Sequence, residues 1–295
     1  MSFCLLGAGT ALVCAVNYFA DPFGVFRDTH GRSLSVYQNE RTAKYLLNEK
    51  YVPQNFDALL IGSSISANWR TSMIEGAHVY NESIDGGNAA EEQLLVEQAL
   101  PAGHFRYALV LVSPFLTRGH QFNEGGMGKP TQREALGSIN ILREEMNEIA
   151  VLTHHQRREF YPDGSKDLDT PKTGPGAFPV DAFTIDPEAL ADYKQLIAEL
   201  RERNTVIVFV LPPLYESTYQ SVRGYMARYV QETGLIAQGD LVIDFNSPAK
   251  MSFRTTSANF DDGIHLSRDG ALRLSEELNR EVKELLQPIE DRHLQ

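Results

Sequence analysis

The chain is predicted to be an α/β protein: a doubly wound parallel sheet with helices on both faces, preceded by an apolar N-terminal helix. Three observations predict this. Five short apolar runs do not alternate with polar residues, the pattern of strands buried on both faces. Longer stretches with helical spacing of apolar residues lie between them, the rhythm of a parallel sheet. Glycine, proline and asparagine punctuate the joints. At 295 residues the chain is long enough for one large domain.

The N-terminal stretch Ser2–Ala20, SFCLLGAGTALVCAVNYFA, carries no charge. As a helix it would reach about 28 Å, close to the roughly 30 Å hydrocarbon core of a bilayer. It is read as a single-pass membrane anchor over residues 1–21, with a buried helix of a folded domain as the competing reading. A cleaved signal peptide fits poorly, because there is no basic n-region and no small-x-small cleavage site. Val13 before Cys14 argues against a lipoprotein. Cys4 and Cys14, ten residues apart on one helix, cannot bridge. DPFGVF, Asp21–Phe26, ends the helix. Residues 22–51 form a linker with a helix inside Ser33–Lys50.

The main domain spans residues 52–290. Its strands are expected at Asp57–Gly62, His78–Asn81, Tyr107–Ser113, Thr205–Leu211 and Leu241–Phe245. Its helices are expected at Ala89–Leu100, Gln132–Leu152, Pro187–Arg203, Tyr215–Gln231 and Ser267–Leu286. Ser267 caps the last, which carries Leu272, Leu274 and Leu278. About residues 119–186, containing NEGGMGKP and YPDGSKDLDTPKTGPGAFP, break the rhythm and read as an insertion or lid.

With 39 acidic against 27 basic residues, the net charge is -12. A chain of that sign does not attract phosphate backbones, so nucleic acid is excluded as a partner. NEGGMGKP is not a phosphate loop, since Asn123 and Pro130 stand where Gly and Ser/Thr are required. His154-His155 point apart on a helix and lack further ligands, so no metal site is expected. Glu91-Glu92 and Glu144-Glu145 read as solvated helix faces. His104, His120 and Tyr215 are placed near strand carboxyl ends as minor candidates. Trp69 either packs beneath a helix or floors a binding site.

Two segments carry chemistry. DALLIGSSISANW, Asp57–Trp69, turns two hydroxyls outward at the carboxyl end of a strand, where ligands bind in open parallel sheets. A serine there either caps the next helix or acts as a nucleophile beside a helix N-terminus. A serine nucleophile needs a base. NFDDGIHLSRDG supplies a histidine, His265, with a carboxylate three residues earlier, Asp262, to fix its tautomer. Asp261 is the competing carboxylate, and capping of the last helix is the competing role.

These pieces, GSS at Gly62–Ser64, NESIDGG at Asn81–Gly87 and DGIH at Asp262–His265, resemble the SGNH (GDSL-like) hydrolase superfamily in order and location. The resemblance implies the flavodoxin-like doubly wound fold. It implies Ser64 as nucleophile, His265 as base and Asp262 as orienting acid, with the N–H groups of Ser64 and Gly86 in an oxyanion hole. No cofactor is implied. The superfamily's Gly-x-Asn after the next strand is replaced by Ser113-Pro114-Phe115. Loss of such a donor costs about 2.7–4 kcal/mol in the transition state. Asn88, Asn68 or Ser113 substitutes for it, or catalysis is slow, or the site is not hydrolytic.

The anchor, NYFADPFGVF, NERTAKYLL and GSS together resemble membrane-attached envelope-polymer modification proteins, namely the alginate O-acetylation proteins and the teichoic acid D-alanine transfer protein. That likeness implies acyl transfer on an exported or cell-envelope polysaccharide. It implies an acyl donor and a polysaccharide acceptor, and a membrane-bound acyltransferase partner. The chain would then sit in the bacterial cytoplasmic membrane, with its catalytic domain on the periplasmic side. The alternatives are an esterase or deacetylase with water as acceptor, and a non-catalytic component of a polysaccharide secretion complex.

Overall fold

The computed structural model describes residues 2–21, 23, 25, 26, 40–120, 129–130, 132–143, 146, 160–168 and 184–293. In chain order the first elements are helices α1 (Ser2–Ala20), α2 (Glu40–Leu47) and α3 (Tyr51–Asn55). Strands β1 (Ala58–Ile61) and β2 (Val79–Asn81), helix α4 (Ala89–Ala99) and strand β3 (Tyr107–Leu111) follow. Then come α5 (Gln132–Leu136), α6 (Pro187–Glu202), β4 (Val206–Leu211) and α7 (Glu216–Thr233). Strand β5 (Leu241–Asp244) and helices α8 (Met251–Thr255) and α9 (Arg268–His293) complete the series.

The strands form one parallel sheet in the order β2-β1-β3-β4-β5, the flavodoxin-like doubly wound order. Ala58 registers with both Val79 and Tyr107, and Tyr107 in turn with Val206. Every residue of β1 and β3 is buried. Successive strand side chains point to opposite faces, so both faces of the sheet centre are covered. Helix α4 packs against α6, and α6 against β4. On α9, Leu274, Leu278 and Val282 are buried at helical spacing while Leu272 is exposed, so the apolar stripe runs through the first three and not Leu272.

The edges differ. At β5, Val242 and Asp244 face outward. At β2 the edge is closed by chain: Asn81 N–H donates to the Asp163 carbonyl at 2.7 Å. Gly164 makes that approach possible. Its φ is +78, and a Cβ there would lie 2.5 Å from the Asn81 carbonyl oxygen and 2.7 Å from the Tyr80 ring. Residues 160–168, within the insertion or lid expected at about 119–186, are therefore a packed edge cover. Asp163 and Ser165 within them are buried. The helix expected over Gln132–Leu152 breaks at Gly137 after α5. Residues 33–39 of the linker helix, residues 123–128 of NEGGMGKP, Glu144-Glu145 and His154-His155 lie outside the described residues.

The expected membrane anchor is corrected. Among the described residues no helix is long and apolar enough to cross a membrane, and the single-pass placement with a periplasmic domain falls with it. Small and polar residues interrupt the apolar run of α1, among them Gly7, Gly9, Thr10 and Asn17. Near its end, Asn17 is fully buried. Its amide donates to the carbonyls of Ala135, Leu136 and Ser138 at 3.2, 2.8 and 2.9 Å. This end of α1 is thus seated on the chain's own backbone, with α1 packed against α5.

Candidate active site

Strand β1 runs into Gly62-Ser63-Ser64. Gly62 is required there, because a Cβ would collide with the Ser66 hydroxyl and crowd Leu111. The chain then turns tightly, with Ser66 N–H on the Ser63 carbonyl and Trp69 N–H on the Ser66 carbonyl. No α-helix follows; the next helical turn is the 3-10 segment Thr71–Met73. The capping role considered for the serines therefore has no α-helix directly after them to act on. The turn is pinned instead by Asn81, whose amide donates to the Ser66 and Trp69 carbonyls at 2.8 and 3.1 Å.

The second segment is a narrow loop closed by the antiparallel bridge Phe260–Leu266 and by Asp261 N–H on the His265 carbonyl at 3.0 Å. Inside it Asp262 gathers three donors. Its Oδ1 accepts from the N–H groups of Ile264 and His265, both at 2.7 Å. Its Oδ2 faces His265 Nδ1 at 2.7 Å. Asp262, not Asp261, is the ring's partner. Burial pushes the Asp262 carboxyl up, but the hydrogen bonds from the His265 ring and the two backbone amides outweigh it and hold the group below the usual range. Capping of α9 belongs to Ser267, whose hydroxyl accepts from Gly270 N–H at 3.1 Å.

The two segments meet. Ser64 Oγ lies 3.0 Å from His265 Nε2 across 201 positions of sequence. Asn68 holds them together, its amide donating to the Leu266 carbonyl at 2.8 Å. Both Ser64 and His265 are half-buried, so a substrate can reach the pair.

The parallel bridge Ser63–Ile84 lays the following turn beside the serines. Gly86 in that turn is exposed, with φ +60. Asn88 begins α4 in a reciprocal capping box: its side chain accepts from Glu91 N–H, and Glu91 reaches back to the Asn88 N–H. Ser113 Oγ receives the Phe115 N–H at 3.4 Å. Of the three substitutes for the missing donor, Asn68 spends an amide hydrogen on the neighbouring loop and Asn88 its oxygen on a helix cap.

The remaining candidates are placed elsewhere. Trp69 is fully buried, edge-on to Phe245, so it floors no open site. His104 precedes β3 and lies at the amino end of the sheet, contrary to expectation. His120 pairs with Asp192 of α6 at 2.7 Å. Tyr215 N–H binds the Gly263 carbonyl at 3.1 Å and braces the histidine loop. Glu91 and Glu92 are not solvated but fully buried.

Sequence reading missed the ionic support under the Asn81–Asn88 segment. Lys44, fully buried, donates to the carbonyls of Asn81 and Ser83 at 2.6 and 2.8 Å. Arg41 holds Glu91 at 2.7 Å and the Asp85 carbonyl at 2.8 Å. Lys166 bridges Glu40 and Asp85 at 3.0 and 2.5 Å. Glu82 and Glu92 lie buried beside Lys44; burial pushes the Glu82 carboxyl up to about 7 against the pull of Lys44. The signal was the one-sided spacing of Glu40, Arg41 and Lys44 in ERTAKYLL, which reads equally as a solvated face until a partner is known. Among the described residues, no group of His, Cys, Asp and Glu is arranged to hold a metal ion.

No family model matches the chain, and no curated protein matches it. Solved structures do. One, of Streptococcus pneumonia and named for platelet activating factor, is 15% identical, with a TM-score of 0.46 over 84% of this chain and 91% of that one. A lipase/acylhydrolase from Enterococcus faecalis is 15% identical, with a TM-score of 0.40 over 77% and 95%. A catalytic mutant of an acetylxylan esterase from Geobacillus stearothermophilus is 13% identical, with a TM-score of 0.41 over 78% and 95%. On the doubly wound frame the serine closes the first strand and the Asp-x-x-His precedes the last helix, at the carboxyl side of the sheet. What the site can do follows from its own side chains.

Proposed function

We propose that the protein is a serine esterase of SGNH type that works through an acyl-Ser64 intermediate. One observation carries the proposal: the continuous chain Ser64 Oγ, His265 Nε2 at 3.0 Å, His265 Nδ1, Asp262 Oδ2 at 2.7 Å. Asp262 holds the proton on Nδ1, which leaves Nε2 free to accept from the serine. Ser64 Oγ attacks the ester carbonyl and its proton passes to His265 Nε2. The tetrahedral oxyanion is met by the N–H groups of Ser64 and Gly86. The C–O bond to the alcohol breaks, and the departing oxygen takes the proton from His265. An acceptor hydroxyl then gives its proton to His265, attacks the acyl carbonyl and releases Ser64, which recovers that proton.

The acceptor defines the finer reading. Water makes the protein an esterase or deacetylase. A sugar hydroxyl makes it an O-acyltransferase acting on an exported polysaccharide, with an acyl donor as co-substrate. The Ser113-Pro114-Phe115 turn resembles that of the teichoic acid D-alanine transfer protein, which favours transfer. The connected triad favours either enzyme over a non-catalytic component. A fluorophosphonate probe tests the common step: it labels the wild-type protein at Ser64 and not Ser64→Ala. Labelling that survives the substitution would sink the assignment. Polysaccharide that gains acyl groups from a donor ester, rather than leaving its hydrolysis unchanged, identifies transfer.

A further inference from the structure

Residues adjacent in sequence to the triad help to wall a cavity lined almost wholly by carbon. Its walls include Ile65 and Ile264, the chain neighbours of Ser64 and His265, together with Leu214, Val222 and Met226. Residues Val112 to Phe115, Pro212 and Leu214 place it at the carboxyl ends of β3 and β4, where open parallel sheets bind ligands. It offers about 30 Å³ to the centre of a water-sized sphere. Since one water needs roughly 10–15 Å³ by that measure, two or three methyl-sized groups fit. A polar alcohol or sugar finds no partner there, whereas an acyl chain on Ser64 needs none.

We propose that this cavity is the acyl pocket and that it selects short aliphatic acyl groups of about four carbons over acetyl. The inference rests on the acyl-Ser64 reading above. The replacement of Gly-x-Asn by Ser113-Pro114-Phe115 contributes to the same wall, so the turn that lacks the polar donor supplies apolar surface instead. Val222 and Met226, one helical turn apart on α7, set the far wall, and Val222 is almost fully buried. Each methylene removed from water is worth about a fourfold preference. Two of them make butyryl better than acetyl by on the order of tenfold in kcat/KM.

The test is the kcat/KM series for p-nitrophenyl acetate, butyrate, hexanoate and octanoate, with Val222→Phe and Met226→Trp as pocket-filling variants and Val222→Ala as a pocket-enlarging one. The expected wild-type profile peaks at butyrate. The butyrate-to-acetate ratio falls about tenfold on filling, and the optimum moves to a longer chain in Val222→Ala. A wild-type profile that peaks at acetate, or rises without limit to octanoate, overturns the pocket even if the variants do not fold. Ratios unchanged in folded variants overturn it as well. In both cases Ser64 still reacts with fluorophosphonate; absence of both labelling and turnover would bring down the acyl-enzyme reading itself.

Discussion

Replacing Asp262 by Asn isolates one proton. Asp262 Oδ1 is held by two backbone N–H groups, from Ile264 and His265, each at 2.7 Å. In Asp262→Asn the amide oxygen keeps that position, because only an oxygen accepts from both. The NH2 group is then forced into the place of Oδ2, 2.7 Å from His265 Nδ1. Two donors cannot face each other, so Nδ1 gives up its hydrogen and the ring proton moves to Nε2. There it points at Ser64 Oγ, 3.0 Å away, and the base can no longer accept. A wrong tautomer in such a triad lowers kcat about 10⁴-fold, which is about 5.4 kcal/mol of barrier at 1.36 kcal/mol per decade. Stability falls less than in Asp262→Ala, since the backbone donors stay satisfied. Asp262→Ala instead orphans both amides at a cost of about 1–3 kcal/mol. Ester turnover by stopped assay and thermal melting separate the two effects. If Asp262→Asn kept kcat within tenfold of wild type while folded, the tautomer argument would be wrong.

Four further outcomes are expected. Gly164→Ala strains a positive φ and drives a Cβ onto Asn81 and Tyr80, costing about 1–3 kcal/mol; melting and proteolysis between residues 160 and 168 read it out. Lys44→Met removes both donors from the Asn81 and Ser83 carbonyls. It should destabilise by about 3 kcal/mol, measured by urea unfolding. Burial raises the Glu82 carboxyl from its ordinary value of about 4.5 to about 7 in the folded state. The folded state therefore binds its proton more tightly, and stability falls as pH rises from about 4.5 to about 7. Glu82→Gln should flatten that slope and stabilise the protein at pH 8; an unchanged profile would refute it. Asp262 behaves oppositely: its depressed pKa contributes stability above the ordinary carboxylate range, lost as pH falls through its lower folded value, and Asp262→Asn removes that acid sensitivity.

The strands were legible because their signal is local. ALLI, YALVL and VIVFVL are apolar without alternation, and burial on both faces is what that pattern means. β2 was shorter than expected by His78, which sits before the first ladder residue. The helix expected after Gly62-Ser63-Ser64 was misread from the same residues. Ser, Asn and Trp follow the turn, and the amides of Asn81 and Asn68 hold it in tight turns that no periodicity announces. The N-terminal helix was legible as a helix but not as to its surroundings: an uncharged run suits lipid and protein interior alike, and the seat of Asn17 on the Ala135–Ser138 carbonyls is a long-range fact.

By itself the sequence determined which residues could do chemistry and the elements that carry them, since hydroxyl, imidazole and carboxylate identities and apolar runs are properties of short segments. It determined too that Asp262 and His265 share one loop, because three residues around Gly263 cannot reach far. Only the tertiary structure decided that Ser64 and His265 lie 3.0 Å apart, that Asp262 rather than Asp261 faces the ring, and that Lys44, Glu82 and Glu92 turn inward. Those outcomes depend on how strands and loops from distant parts of the chain are stacked. Side-chain direction and burial are set by that stacking, and nothing in the neighbouring residues encodes them.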